Sequence, residues 1–240
     1  PFNSEIKKNR DKIFVIDYKN TLRCFKINNG SECWNLQTED SFTLSGIKYS
    51  LIISNDMVVF SNSIGDITAV DEQTGLILWQ LPTQSSNIVN ETYNFKNSKL
   101  VSDGNSIYFS NNKNEFYSID AKTGTTNWTN EINSTITPVI INNLIFTLSE
   151  EGYLYVIEKN EGNIIRISNL FTNYKEKIRK NLKPIGFAIG NLNLYLTNSN
   201  GDIIVADLNL GSILNKKKIG NNLISRPFIY NNSLFVVRNG

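Results

Sequence analysis

Five stretches of the chain align on one another without a gap, and a repeat of this kind decides the fold class before any single residue is weighed. The clearest copy is GDITAVDEQTGLILW, Gly65 to Trp79. The others are NEFYSIDAKTGTTNW (Asn114–Trp128), GDIIVADLNLGSILN (Gly201–Asn215), GYLYVIEKNEGNIIR (Gly152–Arg166) and NTLRCFKINNGSECW (Asn20–Trp34). Each opens on a turn residue: Asn20, Gly65, Asn114, Gly152 or Gly201. A polar residue follows six later (Lys26, Asp71, Asp120, Glu158, Asp207), and four beyond it stands a glycine (Gly30, Gly75, Gly124, Gly162, Gly211). Successive glycines lie 45, 49, 38 and 49 residues apart. That is the period of a unit of four short strands.

Within each copy the residues alternate as a strand requires: Ile67 and Ala69 face one way, Thr68 and Val70 the other. A β-rich run precedes each copy, at Ile13–Ile16, Met57–Phe60, Ile107–Phe109, Leu144–Leu148 and Leu194–Thr197. The Asp-x-x-x-Gly step predicts a hairpin between the third and fourth strands. There the carboxylate accepts backbone N–H bonds and glycine adopts the positive φ that closes the turn. No window carries a 3.6-residue apolar period, so helices are expected only as short connectors. The reading is all-β: a β-propeller of four-stranded antiparallel blades, five to six of them in this chain. A sixth unit begins at Pro227–Tyr230 and Leu234–Val237, and the blade holding Ile13–Ile16 has a missing or irregular first strand. The chain, 1–240, is therefore expected to be a single propeller domain incomplete at both ends, since a closed ring protects its edge strands.

Composition removes several classes of function. The chain has no histidine, which excludes imidazole acid–base catalysis, Ser-His triads and His metal sites. A net charge of +2 does not point to nucleic acid. No apolar run approaches the roughly 18 residues of a membrane-spanning helix, and Pro1–Arg10 has no signal-peptide core. Cys24 and Cys33, either side of the Asn28–Gly30 turn, read as two ordinary residues on neighbouring strands or as a cross-strand disulfide. Asp71, Asp120 and Asp207 read as turn residues rather than ligands or catalytic acids.

The segment AVDEQTGLILW, Ala69–Trp79, resembles the Ala-x-Asp-x-x-x-Gly-x-x-x-Trp docking motif of PQQ-type propellers, and SIDAKTGTTNW, Ser118–Trp128, matches it with Ser for Ala. The resemblance implies a structural docking role for Trp34, Trp79 and Trp128, wedged between adjacent blades. Arg166 and Asn215 stand where the other two copies would carry tryptophan. The order of the repeats is similar to the outer-membrane assembly lipoprotein family BamB, covering about its last six of eight blades. That likeness implies a non-enzymatic, cofactor-free scaffold of the bacterial periplasm, held at the outer membrane by a lipid anchor outside this chain. Its partners would be the barrel-assembly complex and unfolded barrel proteins.

The family's Leu-x-Leu-Arg-Gly stretch corresponds here to Phe42–Gly46, with Ser45 at the arginine position, and its acidic residues at the next blade to Asn94 and Lys96. The expected partner-binding residues are Phe42, Leu44, Ser45, Asn94, Phe95 and Lys96. They fall on the connections Gln37–Gly46 and Pro82–Leu100, with Phe42 and Leu44 as apolar anchors or, equally, core residues of their own strand. Tyr93 and Phe95 read first as loop anchors. Two other classes compete. A PQQ-dependent oxidoreductase fragment would need adjacent cysteines and a Glu/Asn/Asp calcium set, whereas Cys24 and Cys33 are nine apart. A ligand-binding propeller of another pathway is the other. The basic run Tyr174–Lys183, YKEKIRKNLK, is a solvated linker or a contact for an acidic partner or lipid headgroups.

Overall fold

Every repeat folds as four antiparallel strands in up-and-down order. A computed structural model describes residues 2–38, 48–83, 95–220 and 224–238. The chain divides into two compact units, Pro1–Glu131 and Ile132–Gly240.

The first unit holds three sheets. They are β1 (Lys7–Asn9), β2 (Lys12–Ile16), β3 (Thr21–Lys26), β4 (Glu32–Gln37); β5 (Leu51–Ser54), β6 (Met57–Ser61), β7 (Ile67–Asp71), β8 (Ile77–Leu81); and β9 (Val101–Ser102), β10 (Ser106–Ser110), β11 (Phe116–Asp120), β12 (Thr126–Asn130). The second unit holds β13 (Val139–Ile141), β14 (Leu144–Leu148), β15 (Tyr153–Glu158), β16 (Ile164–Asn169), then a one-turn helix α1 (Glu176–Arg179). After it come β17 (Pro184–Gly190), β18 (Asn193–Asn198), β19 (Asp202–Asp207), β20 (Ile213–Lys218), and a two-stranded sheet, β21 (Phe228–Tyr230) with β22 (Ser233–Phe235). These are the blades of a β-propeller. The first blade does have a first strand, against the expectation that it is missing or irregular. β1 is three residues, Lys-Lys-Asn, paired with Lys12–Phe14, and its polar face gives no apolar signal.

The inner strands are buried on both faces, which is why β6 reads Met-Val-Val-Phe without a polar break. The two-residue period divides it between neighbouring cores. Val58 and Phe60 pack with Phe14, Leu22 and Tyr49 of the first blade and its junction, whereas Met57 and Val59 pack with Leu100, Ile107 and Phe109 of the third. In the second unit Phe146, Leu154, Phe187, Leu196 and Ile204 form the corresponding core between its two blades. Burial at roughly 25 cal/mol per Å² of apolar surface makes these interlayers the main source of cohesion.

The hairpins between third and fourth strands follow the repeat residue by residue. The Asp71 Oδ1 accepts the N–H groups of Gln73 (3.1 Å) and Thr74 (2.8 Å) and the Thr74 hydroxyl (2.7 Å). Asp120 and Asp207 repeat the backbone pair. Glu158 does so with its two oxygens, bonding Asn160 and Glu161. Donation by Thr74, through its hydroxyl and then its amide, holds the Asp71 carboxyl below the usual range. Gly75 N–H donates to Asp71 O at 2.9 Å, and in all five blades the register slips by one residue just beyond the turn. The positive-φ glycine followed by a bulge lets a four-residue loop keep the twist of its strands. In the first blade Cys24 faces Trp34 and Phe25 faces Glu32, so Cys33 is the extra residue of the bulge. Both thiols are free; burial and the bond to Cys33 push the Cys24 thiol up.

Glu5, ahead of β1, accepts from Lys99 at the entry to β9 and from Lys7 at 3.1 Å. The Lys99 hydrogen bond, against some desolvation and with help from Lys7, takes its pKa from the ordinary 4.5 to about 2. A carboxyl whose folded pKa is lowered stabilises the fold above its unfolded pKa and loses that contribution as pH falls through the folded one. Glu5→Gln should therefore lower stability at neutral pH by less than about 1 kcal/mol, because the pair is half-exposed. The deficit should shrink from about pH 4.5 downward and vanish near pH 2. Urea melts of both proteins across that range check it, and a deficit constant with pH would show that the carboxylate charge contributes nothing.

Candidate functional site

At three junctions the fourth strand of one blade carries a side chain, Trp34, Trp79 or Arg166, that meets the next blade. Trp79 on β8 is buried, 8% exposed, and its indole N–H donates to Ala121 O at 3.1 Å. The ring lies on Gly124, φ +73°, so closely that an added Cβ there would stand 2.5 Å from Trp79 Cδ2. Trp34 on β4 makes the same approach to Gly75, 2.6 Å by the same measure, and donates to Glu72 O at 3.2 Å. Only a residue without Cβ leaves room for the indole at these turns. Trp128 on β12 is half-buried and stacks on Phe116 in its own blade, centroids 5.9 Å apart.

Where the tryptophan is lost, the contact is made differently. Arg166 on β16 donates to Leu208 O at 2.7 Å, and its other terminal nitrogen to Asn209 O. Glu72, Ala121 and Leu208 each sit one past the turn residue of their blade, at Asp71, Asp120 and Asp207. The guanidinium thus finds the carbonyl that the indoles use. Asn215 is exposed on β20.

The connections between blades leave from equivalent points. Thr38 N–H and hydroxyl both donate to Asn20 O at 3.2 Å. The Thr83 hydroxyl donates to Gly65 O at 2.8 Å. Each acceptor is the residue that opens its repeat. Gly65 O also accepts from Asn97 Nδ2 at 3.0 Å, so the feet of the second connection, Thr83 and Asn97, meet on one carbonyl. Phe95 is half-buried with its ring on Gly65, 2.0 Å from where a Cβ would be. Lys96 is exposed, its backbone tied to Asn112 in both directions, N–H to Oδ1 at 2.9 Å and O from N–H at 3.0 Å. Phe42, Leu44, Ser45 and Asn94 lie outside the described residues.

A second turn, which the sequence reading passed over, fixes the start of each repeat. Asp17, Asn62, Asn111, Ser149 and Asn198 stand three residues before the opening turn residue, and each side-chain oxygen accepts two backbone N–H groups across it. A column of short polar side chains in the repeat alignment is its signal. Among the described residues no group of three or more Cys, Asp or Glu is placed to hold a metal ion.

Four-stranded blades, Asp/Glu-to-Gly hairpins and an indole or guanidinium reaching the next turn together define a PQQ-type β-propeller repeat protein. A family model described as outer membrane protein assembly factor BamB matches residues 1–168, and the chain belongs to that family. Its structure is similar to the crystal structure of BamB from Moraxella catarrhalis. The TM-score is 0.63 at 14% identity, over 98% of this chain and 82% of that one. No curated protein matches the chain.

Proposed function

We propose that the chain is a non-enzymatic scaffold that holds a protein partner during assembly of β-barrel proteins at the bacterial outer membrane, on its periplasmic side. Family membership over residues 1–168 supports the class of work. The observation that carries the site is the equivalence of the feet at Asn20–Thr38 and Gly65–Thr83. Two connections leaving neighbouring blades from matching positions can meet one partner. Phe42 and Leu44 supply apolar anchors on the first connection, with Ser45 beside them. Asn94 and the exposed Lys96 belong to the second connection, whose foot Phe95 holds in place on Gly65. Anchors buried at the centre of an interface contribute more than charges at its rim, so the two apolar residues dominate.

The test is capture of a purified barrel-assembly complex by the immobilised chain. The wild type should retain the complex. Leu44→Arg, checked as folded by circular dichroism, should reduce retention at least tenfold, the effect of losing an anchor of about 1.4 kcal/mol or more. A folded Leu44→Arg protein that captures at full strength moves the site elsewhere. A wild-type chain that captures nothing ends the scaffold reading.

A further inference from the structure

Two separate basic runs come together at one end of the blade β17–β20. The first lies in the connection from β16 to β17, where Lys175, Lys177, Arg179, Lys180 and Lys183 are all exposed around α1. The second is Lys216–Lys218, exposed along the outer strand β20. They are joined by contacts: Lys216 Nζ donates to Asn173 O at 3.4 Å and sits 4.2 Å above the Tyr174 ring. Lys218 Nζ donates to Asn200 O. One residue away, Ser199 exchanges bonds with Lys183, 2.8 Å to its carbonyl and 2.9 Å from its N–H. Residues 173–183 and 213–220 together hold eight basic side chains and one acid, Glu176, a net +7, whereas the rest of the chain is 16 basic against 21 acidic, net −5. The acids nearby do not neutralise the surface. Glu176 pairs with Lys180 at 3.1 Å and Glu150 with Lys183 at 3.4 Å, and Glu151 stands on the rim of the adjoining cleft.

The chemistry of these side chains selects the partner. Seven of the eight are lysine, a compact hydrated charge without the fork that matches a carboxylate in two bonds. Lysine is depleted at protein–protein interfaces, where arginine and aromatic residues lead. Bases would need an exposed ring to stack on, and the one aromatic residue of these runs, Tyr174, is buried. Ile178 and Leu214, by contrast, are exposed among the cations, 44% and 57%. Diffuse positive charge with short apolar side chains between is what a sheet of anionic headgroups over hydrocarbon accepts. We propose that this end of the blade β17–β20 is a docking surface for an anionic lipid membrane. The proposal is independent of whatever the other blade connections hold.

Sedimentation of the full chain with vesicles tests it, using phosphatidylcholine alone and phosphatidylcholine mixed with phosphatidylglycerol. The chain should pellet with the anionic vesicles and not the neutral ones, and rising salt should release it. The variant Lys175→Gln/Lys177→Gln/Lys180→Gln should weaken the partition about a hundredfold, roughly fivefold per lysine. A control with the same charge change in the first unit, Lys8→Gln/Lys26→Gln/Lys122→Gln, should stay within about twofold of the wild type, since those lysines lie outside the surface. Thermal melts confirm that both variants fold. Equal loss in both triples would reduce the effect to net charge and overturn the proposal, as would binding that ignores lipid charge. So would a patch variant that loses only poly-glutamate or oligonucleotide binding in parallel titrations while its vesicle binding stands.

Discussion

Trp79→Ala is expected to destabilise the first unit by about 3–5 kcal/mol, the range for removing a buried aromatic side chain from a packed interlayer. The indole fills the space over Gly124 and supplies the donor for Ala121 O, so truncation leaves both a void and an unpaired carbonyl. Gly124→Ala attacks the same contact from the other side. It forces an L residue to φ +73° and sets a methyl 2.5 Å from the indole, together about 2–5 kcal/mol. The decisive measurement is the double variant. With the indole gone the methyl has room, so the combined loss should fall short of the sum by about 1–3 kcal/mol. Urea unfolding of the four proteins closes the cycle; strict additivity would mean that ring and glycine do not share one space.

Asp202→Ala should have a large effect in the second unit. Tyr174 Oη donates to Asp202 Oδ2 at 2.6 Å and accepts from Asn198 Nδ2 at 2.8 Å, while Asn200 Nδ2 donates to the same carboxylate oxygen at 3.0 Å. Tyr174, Asn198 and Asp202 are all buried. Burial and then the carboxylate push the phenol above its ordinary pKa, so it remains a donor throughout the neutral range. Removing the carboxylate strands the phenol and an amide, about 1–3 kcal/mol each and so about 2–4 kcal/mol in all after partial rehydration. Tyr174→Phe should cost less, about 1–3 kcal/mol, since Asn200 still serves the aspartate. Thermal melts rank the two, and an Asp202→Ala protein that melts with the wild type would show that water serves these groups equally well.

The fold was legible because its determinants are local and repeated. Asp71, Asp120 and Asp207 with their glycines mark hairpins, and the apolar runs ahead of them mark strands that are buried on both faces. What escaped notice had no contrast in the sequence. β1 is Lys-Lys-Asn beside other polar residues. The bulge after each hairpin changes register without requiring a residue type. Arg166 looked like a lost tryptophan, because substitution by a cation hides that both side chains can donate to one carbonyl. The candidate site was less legible still. Loop residues answer to a partner and not to a period, so Phe42 and Leu44 could be named as apolar but not assigned to core or surface.

The direction of the clasp has a consequence for how the chain is made. Trp34 reaches forward 38 residues to Glu72, Trp79 forward 42 to Ala121, and Arg166 forward 42 to Leu208. A blade emerging from a ribosome or a translocation channel therefore completes its own strands before the carbonyl it must grip exists. At these three junctions the growing end displays an ungripped side chain, whose release from solvent waits on the arrival of the next turn. At those junctions maturation is expected to be vectorial, the later blade locking the one before it.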